Sequence, residues 1–288
     1  MTEPSATSHV RVACIQLTSI NDEAHNIATI SRMVEEAAAH GAQLIATPEN
    51  SFYMRASDRD HVPLATMHVH AGVCAMQALA IRHGVWILIG SLFVPSTEPP
   101  LQGGRWFNRS VMIDPQGRIA CHYDKIHLFD ASFDEQTHYR ESARICPGNQ
   151  VGIVTTPWGK IGMTICYDVR FPHLYRDLAK HGVEMIAVPA AFAEITGRSH
   201  WHVLLRARAI ENGAYVLAPA QCGVHPGNKR TYGHAMIVNP WGEIIAEAGD
   251  EPTIIYANLD RAHVQRVRTN LPTLQHDRHY FAPPEYMI

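Results

Sequence analysis

The chain has 288 residues, of which 46% are hydrophobic and 18% are charged, and its formal net charge is −3. This composition excludes an intrinsically disordered chain, and the lack of a basic surplus argues against a nucleic-acid partner. The chain carries no apolar run of membrane-spanning length and no signal-peptide pattern at its start, so we expect a cytoplasmic protein that has no membrane partner.

A helix, a glycine and a short apolar strand follow one another four times along the chain. The four junctions read HGAQLIATPE (40–49), HGVWILIGS (83–91), HGVEMIAVPA (181–190) and NGAYVLAPA (212–220). Glycine directly after a helix supplies the left-handed cap, and an apolar run without alternation predicts a strand buried on both faces. Helical spacing groups Ile27, Ile30, Val34 and Ala38 before the first junction, and Val203, Leu204, Ala207 and Ile210 before the last.

Three turns of similar sequence separate other strand-like runs. They read DPQGRI (114–119), TPWGKI (156–161) and NPWGEI (239–244), and the order of Pro and Gly is typical of β-turns that close hairpins. Hairpins mixed with helix–strand alternation predict an α/β fold with mixed sheets covered by helices. Because no linker divides the chain, we expect one domain over residues 1–288, with a core at about 10–281 and flexible residues 1–9.

The cysteines and histidines do not form a metal-binding pattern. The six cysteines lie at 14, 74, 121, 146, 166 and 222, and no pair has the CxxC spacing of a zinc ribbon or a dithiol redox site. Cys14, Cys74 and Cys222 are interpreted as small buried residues. The pairs His68/His70 and His200/His202 are two residues apart, which does not place both rings on one helical face. We therefore expect no metal, and the mechanism implied by the family resemblance described below needs no cofactor either.

Three strand-like runs each end near a side chain that can take part in catalysis. Glu49 follows LIATP, Lys125 follows HYD, and Cys166 ends GMTIC. Each has an ordinary explanation alone: a solvated carboxylate, a surface lysine and a core thiol. Strand ends converge at the active sites of α/β folds, and together these groups form a complete set for acyl transfer. The thiol is a nucleophile, the carboxylate can move its proton, and the ammonium can lower the thiol pKa and stabilise an oxyanion.

The segments ATPEN, YDKIHLFD, GMTICYDVRFP and HWHVLLRARAIENGAYVLAPAQCG together resemble the nitrilase superfamily of carbon–nitrogen hydrolases, over roughly residues 10–281. The resemblance implies a four-layer α-β-β-α sandwich that pairs into a homodimer through helix faces. It also implies a Glu-Lys-Cys triad at Glu49, Lys125 and Cys166, with Glu141 as a supporting glutamate that holds Lys125. Glu49 is then the general base, and the backbone N–H of Tyr167 assists Lys125 at the oxyanion.

The Nit-type amidase branch, and within it the group acting on deaminated glutathione, shows the greatest similarity. It implies hydrolysis of a small α-keto acid amide to a carboxylate and ammonia through a Cys thioester. The candidate substrate contacts are Tyr53, Tyr167, Arg170, Phe192 and Thr196. Arg170 could bind a substrate carboxylate or form a salt bridge with Asp168 or Asp177. The chain departs from the group between Lys125 and Glu141, where Asp134 and Glu135 replace a Pro-Gly-rich turn, which puts the substrate in doubt.

Several alternatives stay open at this stage. The same triad would serve an ω-amidase acting on α-ketoglutaramate, an N-carbamoyl amino acid amidohydrolase or a nitrilase. A cysteine–histidine hydrolase would use a histidine such as His173. A catalytically silent binding or scaffold protein would be expected to lack one member of the triad, and all three are present.

Overall fold

The computed structural model describes residues 9–57, 60–96, 105–133, 138–279 and 281. Its α-helices within these residues are α1 (Glu23–Ala39), α2 (Ala71–His83), α3 (Pro172–Lys180), α4 (Glu194–Asn212) and α5 (Arg261–Asn270). The strands are β1 (His9–Leu17), β2 (Leu44–Ala46), β3 (Trp86–Pro95), β4 (Trp106–Ile113), β5 (Ile119–Asp124), β6 (Asp130–Ser132), β7 (His138–Arg140), β8 (Gly152–Thr156), β9 (Gly159–Met163), β10 (Val183–Ala187), β11 (Tyr215–Ala218), β12 (Ala220–His225), β13 (Lys229–Tyr232), β14 (Met236–Val238), β15 (Ile244–Glu247) and β16 (Thr253–Asp260).

Two mixed sheets carry most of the strands. The first sheet has the order β13-β12-β1-β2-β3-β4-β5, with β16 also paired to β1, and the second has the order β15-β14-β11-β10-β9-β8. Four neighbouring strands are parallel in the first sheet, β12-β1-β2-β3, and three are parallel in the second, β9-β10-β11; antiparallel strands extend the edges. The predicted hairpins β4–β5, β8–β9 and β14–β15 are confirmed by their antiparallel pairing.

The two sheets pack face to face between two helical layers. Val12 and Cys14 of β1 share one buried cluster with Ile161 of the second sheet, and the helices α3 and α4 join that cluster. The alternate residues Ala13 and Ile15 point to the opposite face, where they contact α1 and α2. Side chains alternate along a strand, so an apolar run such as VACIQL covers both faces at once. The predicted four-layer α-β-β-α arrangement of an α/β fold is confirmed.

The four helix–glycine–strand junctions are confirmed as well. Each predicted helix ends at the residues before the glycine, and β2, β3, β10 and β11 follow. Gly84 and Gly213 are the C-caps of α2 and α4 and have φ of 64° and 53°, a left-handed conformation that costs glycine no steric energy.

The exposed face of α4 was not predicted, and the burial prediction for Cys74 is corrected. On α4 the core-facing residues include Trp201 and Leu205, whereas Val203 is 66% exposed and Ile210 is 45% exposed. Helical spacing grouped the apolar residues correctly but did not show that α4 has a second, outward apolar stripe. Cys74, predicted to be buried, is exposed, because Val73 and Met76 occupy the inward face of α2.

Candidate active site

The triad predicted from three strand ends comes together between the two sheets. Glu49 lies three residues beyond β2 and Lys125 directly follows β5, while Cys166 lies three residues beyond β9 of the second sheet. Strands β2 and β5 run in the same direction because β3 is parallel to β2 and two antiparallel steps lead from β3 to β5. Their carboxyl ends therefore lie at one edge. The side chains are buried, with exposures of 3% for Glu49, 2% for Lys125 and 8% for Cys166.

Two glutamates hold Lys125. Its Nζ donates to Glu49 Oε1 at 2.9 Å and to the two carboxylate oxygens of Glu141 at 3.1 and 2.9 Å. Glu141 also accepts the backbone N–H of Phe129 at 2.7 Å, which fixes its carboxylate against the chain that follows Lys125. All three ammonium protons thus have acceptors, so the position of the charge is set by the protein rather than by solvent.

Asn108 is a member of this network that the sequence did not reveal. Its Nδ2 donates to Glu49 Oε1 at 2.9 Å and to Glu141 Oε1 at 3.2 Å, so one amide links both carboxylates. The second oxygen of Glu49 accepts the backbone N–H of Ala191 at 2.8 Å. In the sequence Asn108 belongs to a glycosylation-like NRS triplet inside a strand, and nothing local distinguishes it from other strand residues.

The charged groups of the site shift one another's pKa. Burial would raise the pKa of Glu49, but the ammonium of Lys125 and the hydrogen bonds to Lys125 and Ala191 lower it below the ordinary value. Burial would likewise lower the pKa of Lys125, yet the charges of Glu141 and Glu49 hold it well above the ordinary value. Burial and the Glu49 charge raise the pKa of Cys166 well above the ordinary value, although Lys125 opposes this. The resting site therefore pairs a carboxylate with a protonated thiol.

The backbone at Cys166 is bent into an unusual conformation. Cys166 has a φ of 46°, a value that non-glycine residues adopt at a cost of about 1–3 kcal/mol and that recurs at functional sites. Buried Asp168 holds this bend by accepting the N–H of Ile165 at 2.8 Å, the hydroxyl of Tyr123 at 2.8 Å and the backbone N–H of His127 at 3.1 Å. The ring of His127 also lies 2.7 Å from Asp168 through Nδ1.

Two recesses meet at Cys166. The smaller is lined by the thiol, by four of the five predicted substrate contacts and by three neighbours; the contacts are Tyr167, Arg170, Phe192 and Thr196, and the neighbours are Phe129, Ala191 and Ala193. The larger has a volume of about 310 Å³ and contains Glu49, Lys125 and Glu141 in its wall. Tyr53, the fifth predicted contact, packs instead against a cluster that includes Phe93 and Ile145, which line the larger recess.

The Carbon-nitrogen hydrolase family profile matches residues 11–269 of the chain. The chain belongs to the carbon–nitrogen hydrolase family. It is thus a hydrolase that acts on carbon–nitrogen bonds other than peptide bonds, which confirms the predicted enzyme class and the resemblance to the nitrilase superfamily.

Named relatives of this carbon–nitrogen hydrolase are amidases. A deaminated glutathione amidase from Synechocystis is 39% identical over 92% of the chain and 96% of its own length. The crystal structure of the C. elegans NitFhit protein matches with a TM-score of 0.82 and 32% identity, over 95% of this chain and 66% of that one. An amidase from Nesterenkonia sp., in a mutant form that carries an acetamide moiety on its active-site cysteine, matches with a TM-score of 0.73 and 26% identity, over 93% of this chain and 97% of its own.

Two further residues singled out from the sequence, Arg170 and His173, contact neighbouring side chains. The guanidinium of Arg170 contacts Nδ1 of His200 at 3.1 Å and lies 5.0 Å from the ring centre of Phe192. The alternative ion pair with Asp168 is not what holds it, because the carboxylate of Asp168 binds the Cys166 bend. The ring of His173 packs on Phe171, and among the described residues it lines neither recess.

The remaining expectations concern metals, membranes and the segment after β6. His202 and His234 approach Glu247 at 2.7 and 3.1 Å, a grouping different from the two histidine pairs seen in the sequence. Among the described residues no helix has the length and apolar character needed to cross a membrane. Asp134 and Glu135 lie outside the described residues.

Proposed function

We propose that this carbon–nitrogen hydrolase cleaves a linear α-keto acid amide, deaminated glutathione, through a thioester on Cys166. The observation that carries the proposal is that Glu49, Lys125 and Cys166 line one recess, with the Lys125 ammonium fixed between two glutamates. The named relatives with 37–40% identity, which act on deaminated glutathione, support this choice of substrate.

The first half of the reaction forms the thioester. Glu49 accepts the thiol proton while the Cys166 sulfur attacks the amide carbon, and negative charge develops on the amide oxygen. The ammonium of Lys125 and the backbone N–H of Tyr167 stabilise this oxyanion, since the first N–H groups of a helical turn have no partner within the turn. When the carbon–nitrogen bond breaks, Glu49 transfers the same proton to the departing nitrogen, and Glu49 is again a carboxylate.

The second half removes the acyl group. A water occupies the place that the amine has left, Glu49 takes its proton, and the hydroxide attacks the thioester carbon. Collapse of the tetrahedral intermediate releases the carboxylate, and the thiolate recovers its proton from Glu49. Glu141 does not touch the reacting atoms; it positions Lys125 with its two oxygens.

The chemistry of deaminated glutathione decides which amine departs. This compound is glutathione with a keto oxygen in place of its free amino group, so the cleaved amide joins a five-carbon keto acid to cysteinylglycine. The amine released is then the dipeptide, and ammonia is released only from an unsubstituted amide such as α-ketoglutaramate. Both substrates yield α-ketoglutarate, which is therefore the product to measure.

The direct test compares kcat/KM for deaminated glutathione, α-ketoglutaramate, an N-carbamoyl amino acid and a nitrile, with Cys166→Ala as the inactive control. We expect deaminated glutathione to be preferred and the variant to release no α-ketoglutarate while its melting temperature stays unchanged. Full activity of Cys166→Ala would refute the thioester mechanism. Preference for the carbamoyl compound or the nitrile would refute the proposed substrate.

We also propose that the protein is a cytoplasmic homodimer built from one domain per chain. The outward apolar stripe of α4, at Val203 and Ile210, supports a dimer face, as does the 56% exposed Trp241, whose neighbour Gly242 packs against Ile210. Six free thiols are typical of a reducing compartment. Val203→Glu should yield monomers in a sizing experiment. Val69→Glu, at a 70% exposed site before α2, should leave the dimer intact; equal behaviour of the two variants would contradict the assignment.

A further inference from the structure

The two recesses at Cys166 differ in which reacting group they contain. Both share Phe129, Ala191 and Ala193 with the thiol, but Glu49 lines only the larger one. Glu49 is the group that protonates the departing nitrogen in the proposed reaction, and a proton donor must lie within hydrogen-bonding reach of the atom that it protonates. The leaving amine therefore faces the larger recess.

The wall of the larger recess is basic, although the whole chain has a net charge of −3. Five basic side chains and two carboxylates line it; the carboxylates are Glu49 and Glu141, and the basic residues are Arg55, Lys125, Arg140, Lys229 and Arg230. Both carboxylates bind Lys125, so the lining residues carry more positive than negative charge, which Glu194 beside Arg230 and Asp60 near Lys229 offset in part. A recess lined by a surplus of one sign of charge attracts the opposite charge.

Three of these basic residues lie in the loop after Glu49 or in β13, and we call them the outer basic wall: Arg55, Lys229 and Arg230. Lys229 donates from Nζ to the carbonyl of Arg55 at 2.7 Å, which ties the loop after Glu49 to β13. The guanidinium of Arg55 lies 5.4 Å from the ring centre of Trp106. Arg230 pairs with Glu194, which also binds Arg198. The loop that carries Glu49 thus places the outer basic wall on the leaving-amine side.

We propose that the outer basic wall binds a carboxylate at the far end of the leaving amine. The enzyme would then favour amides whose nitrogen belongs to an amino acid or a short peptide over unsubstituted amides. Arginine and lysine bind carboxylates through charge-assisted hydrogen bonds, and a recess of about 310 Å³ lies in the range of small-molecule sites. This inference rests on the proposed amidase function and assigns the part of the substrate that distinguishes a peptide amide from a simple amide.

The test is a substrate comparison in Arg230→Gln with Arg198→Gln as its matched control. Both residues are surface arginines that pair with Glu194, with side-chain exposures of 57% and 70%, but only Arg230 lines the recess. Each variant removes one positive charge and one ion pair to the same carboxylate. The substrates are deaminated glutathione, whose amine ends in a carboxylate, and α-ketoglutaramate, whose amine is ammonia.

We expect Arg230→Gln to lower kcat/KM for deaminated glutathione about tenfold, mainly through KM, because a charged hydrogen bond to the bound substrate is lost. The value for α-ketoglutaramate should stay within about twofold, since its leaving group does not reach the wall, and Arg230→Lys should restore most of the loss. Arg198→Gln should change neither substrate.

Three results would overturn the inference in distinguishable ways. Equal losses of kcat/KM on the two substrates, or equal losses in Arg230→Gln and Arg198→Gln, would show that the outer basic wall does not bind the leaving amine. Wild-type cleavage of α-ketoglutaramate alone would leave the amidase chemistry intact and refute both the proposed substrate and the peptide preference. Cleavage of neither substrate would refute the proposed function itself, and the inference with it.

Discussion

Replacing Lys125 by Met tests what keeps Glu49 ionised. The variant removes the ammonium that lies 2.9 Å from Glu49 and 2.9 Å from Glu141, and leaves both carboxylates beside the same amide of Asn108. Glu49 is 3% exposed, so solvent cannot replace the lost charge. Breaking a buried ion pair from one side typically costs about 3–5 kcal/mol unless a proton neutralises the remaining charge.

We expect that proton to bind to the pair of glutamates. Lys125 holds the pKa of Glu49 below its ordinary value, and without it burial and the second carboxylate both act to raise that pKa. Burial and a nearby like charge both disfavour the ionised form of a carboxyl group, so its pKa rises. Glu49 would then be largely protonated at neutral pH and could not accept the thiol proton. Loss of an oxyanion donor lowers kcat by a further factor of about 10² to 10³.

The assay is the pH profile of kcat/KM for α-ketoglutarate release. In the wild type the profile should be flat from about pH 5 to pH 9, since the pKa of Glu49 is lowered and that of Lys125 is raised well above its ordinary value. Lys125→Met should be slower by at least about 10² at pH 7 and should recover partly as the pH rises. Adding Glu141→Gln to Lys125→Met removes the second carboxylate and should move this rise to lower pH. A flat profile in Lys125→Met, at whatever rate, would refute the reasoning.

Three further variants test other contacts of the structure. Asp168→Asn puts an amide in place of the carboxylate that accepts the Ile165 N–H. Urea unfolding should show that the free energy of unfolding falls by about 3 kcal/mol, and the activity assay should show a lower kcat. An unchanged kcat would show that Asp168 does not hold the Cys166 bend. Burial lowers the pKa of His70 to about 4, so the unfolded chain binds more protons than the folded chain below pH 6.5. The free energy of unfolding should therefore fall by up to about 3 kcal/mol between pH 6.5 and 4. His70→Asn, which keeps a capping acceptor, should remove this contribution to the pH dependence, and an unaltered pH dependence would contradict the assignment. Asn108→Leu removes the donor shared by the two carboxylates and should lower kcat/KM about tenfold, whereas an unaffected rate would show that Lys125 alone positions them.

Much of the fold follows from local sequence signals. The glycine caps at 84 and 213 and the three Pro-Gly turns are short-range features whose conformations depend on backbone sterics, so each predicted its junction or hairpin correctly. Burial on α4 could not be predicted in the same way. Its sequence is apolar on two sides, at Trp201 and Leu205 and again at Val203 and Ile210, and periodicity alone does not tell which side faces the core.

The residues of the site also fall into those that the sequence predicted and those that it did not. Glu49, Lys125 and Cys166 could be found because each is a reactive side chain within three residues of a strand end, and the topology of the two sheets brings those ends together. Asn108 lies within a strand, and its function depends on the carboxylates to which it donates. Arg230 was equally hidden, since its position in the recess depends on how β13 pairs with β12 rather than on its neighbours in sequence.

The protonation state of Cys166 also could not be predicted from the list of residues. The sequence suggested that Lys125 lowers the thiol pKa, and it does act in that direction, but burial and the Glu49 charge outweigh it. This resting state suits amide cleavage better than a thiolate would. An amine is a poor leaving group until it is protonated, so the site must store one proton close to the nitrogen. A thiol that transfers its proton to Glu49 only during the attack places that proton on the group that faces the leaving amine. A thiolate whose proton had already been lost to solvent would leave Glu49 without a proton to give.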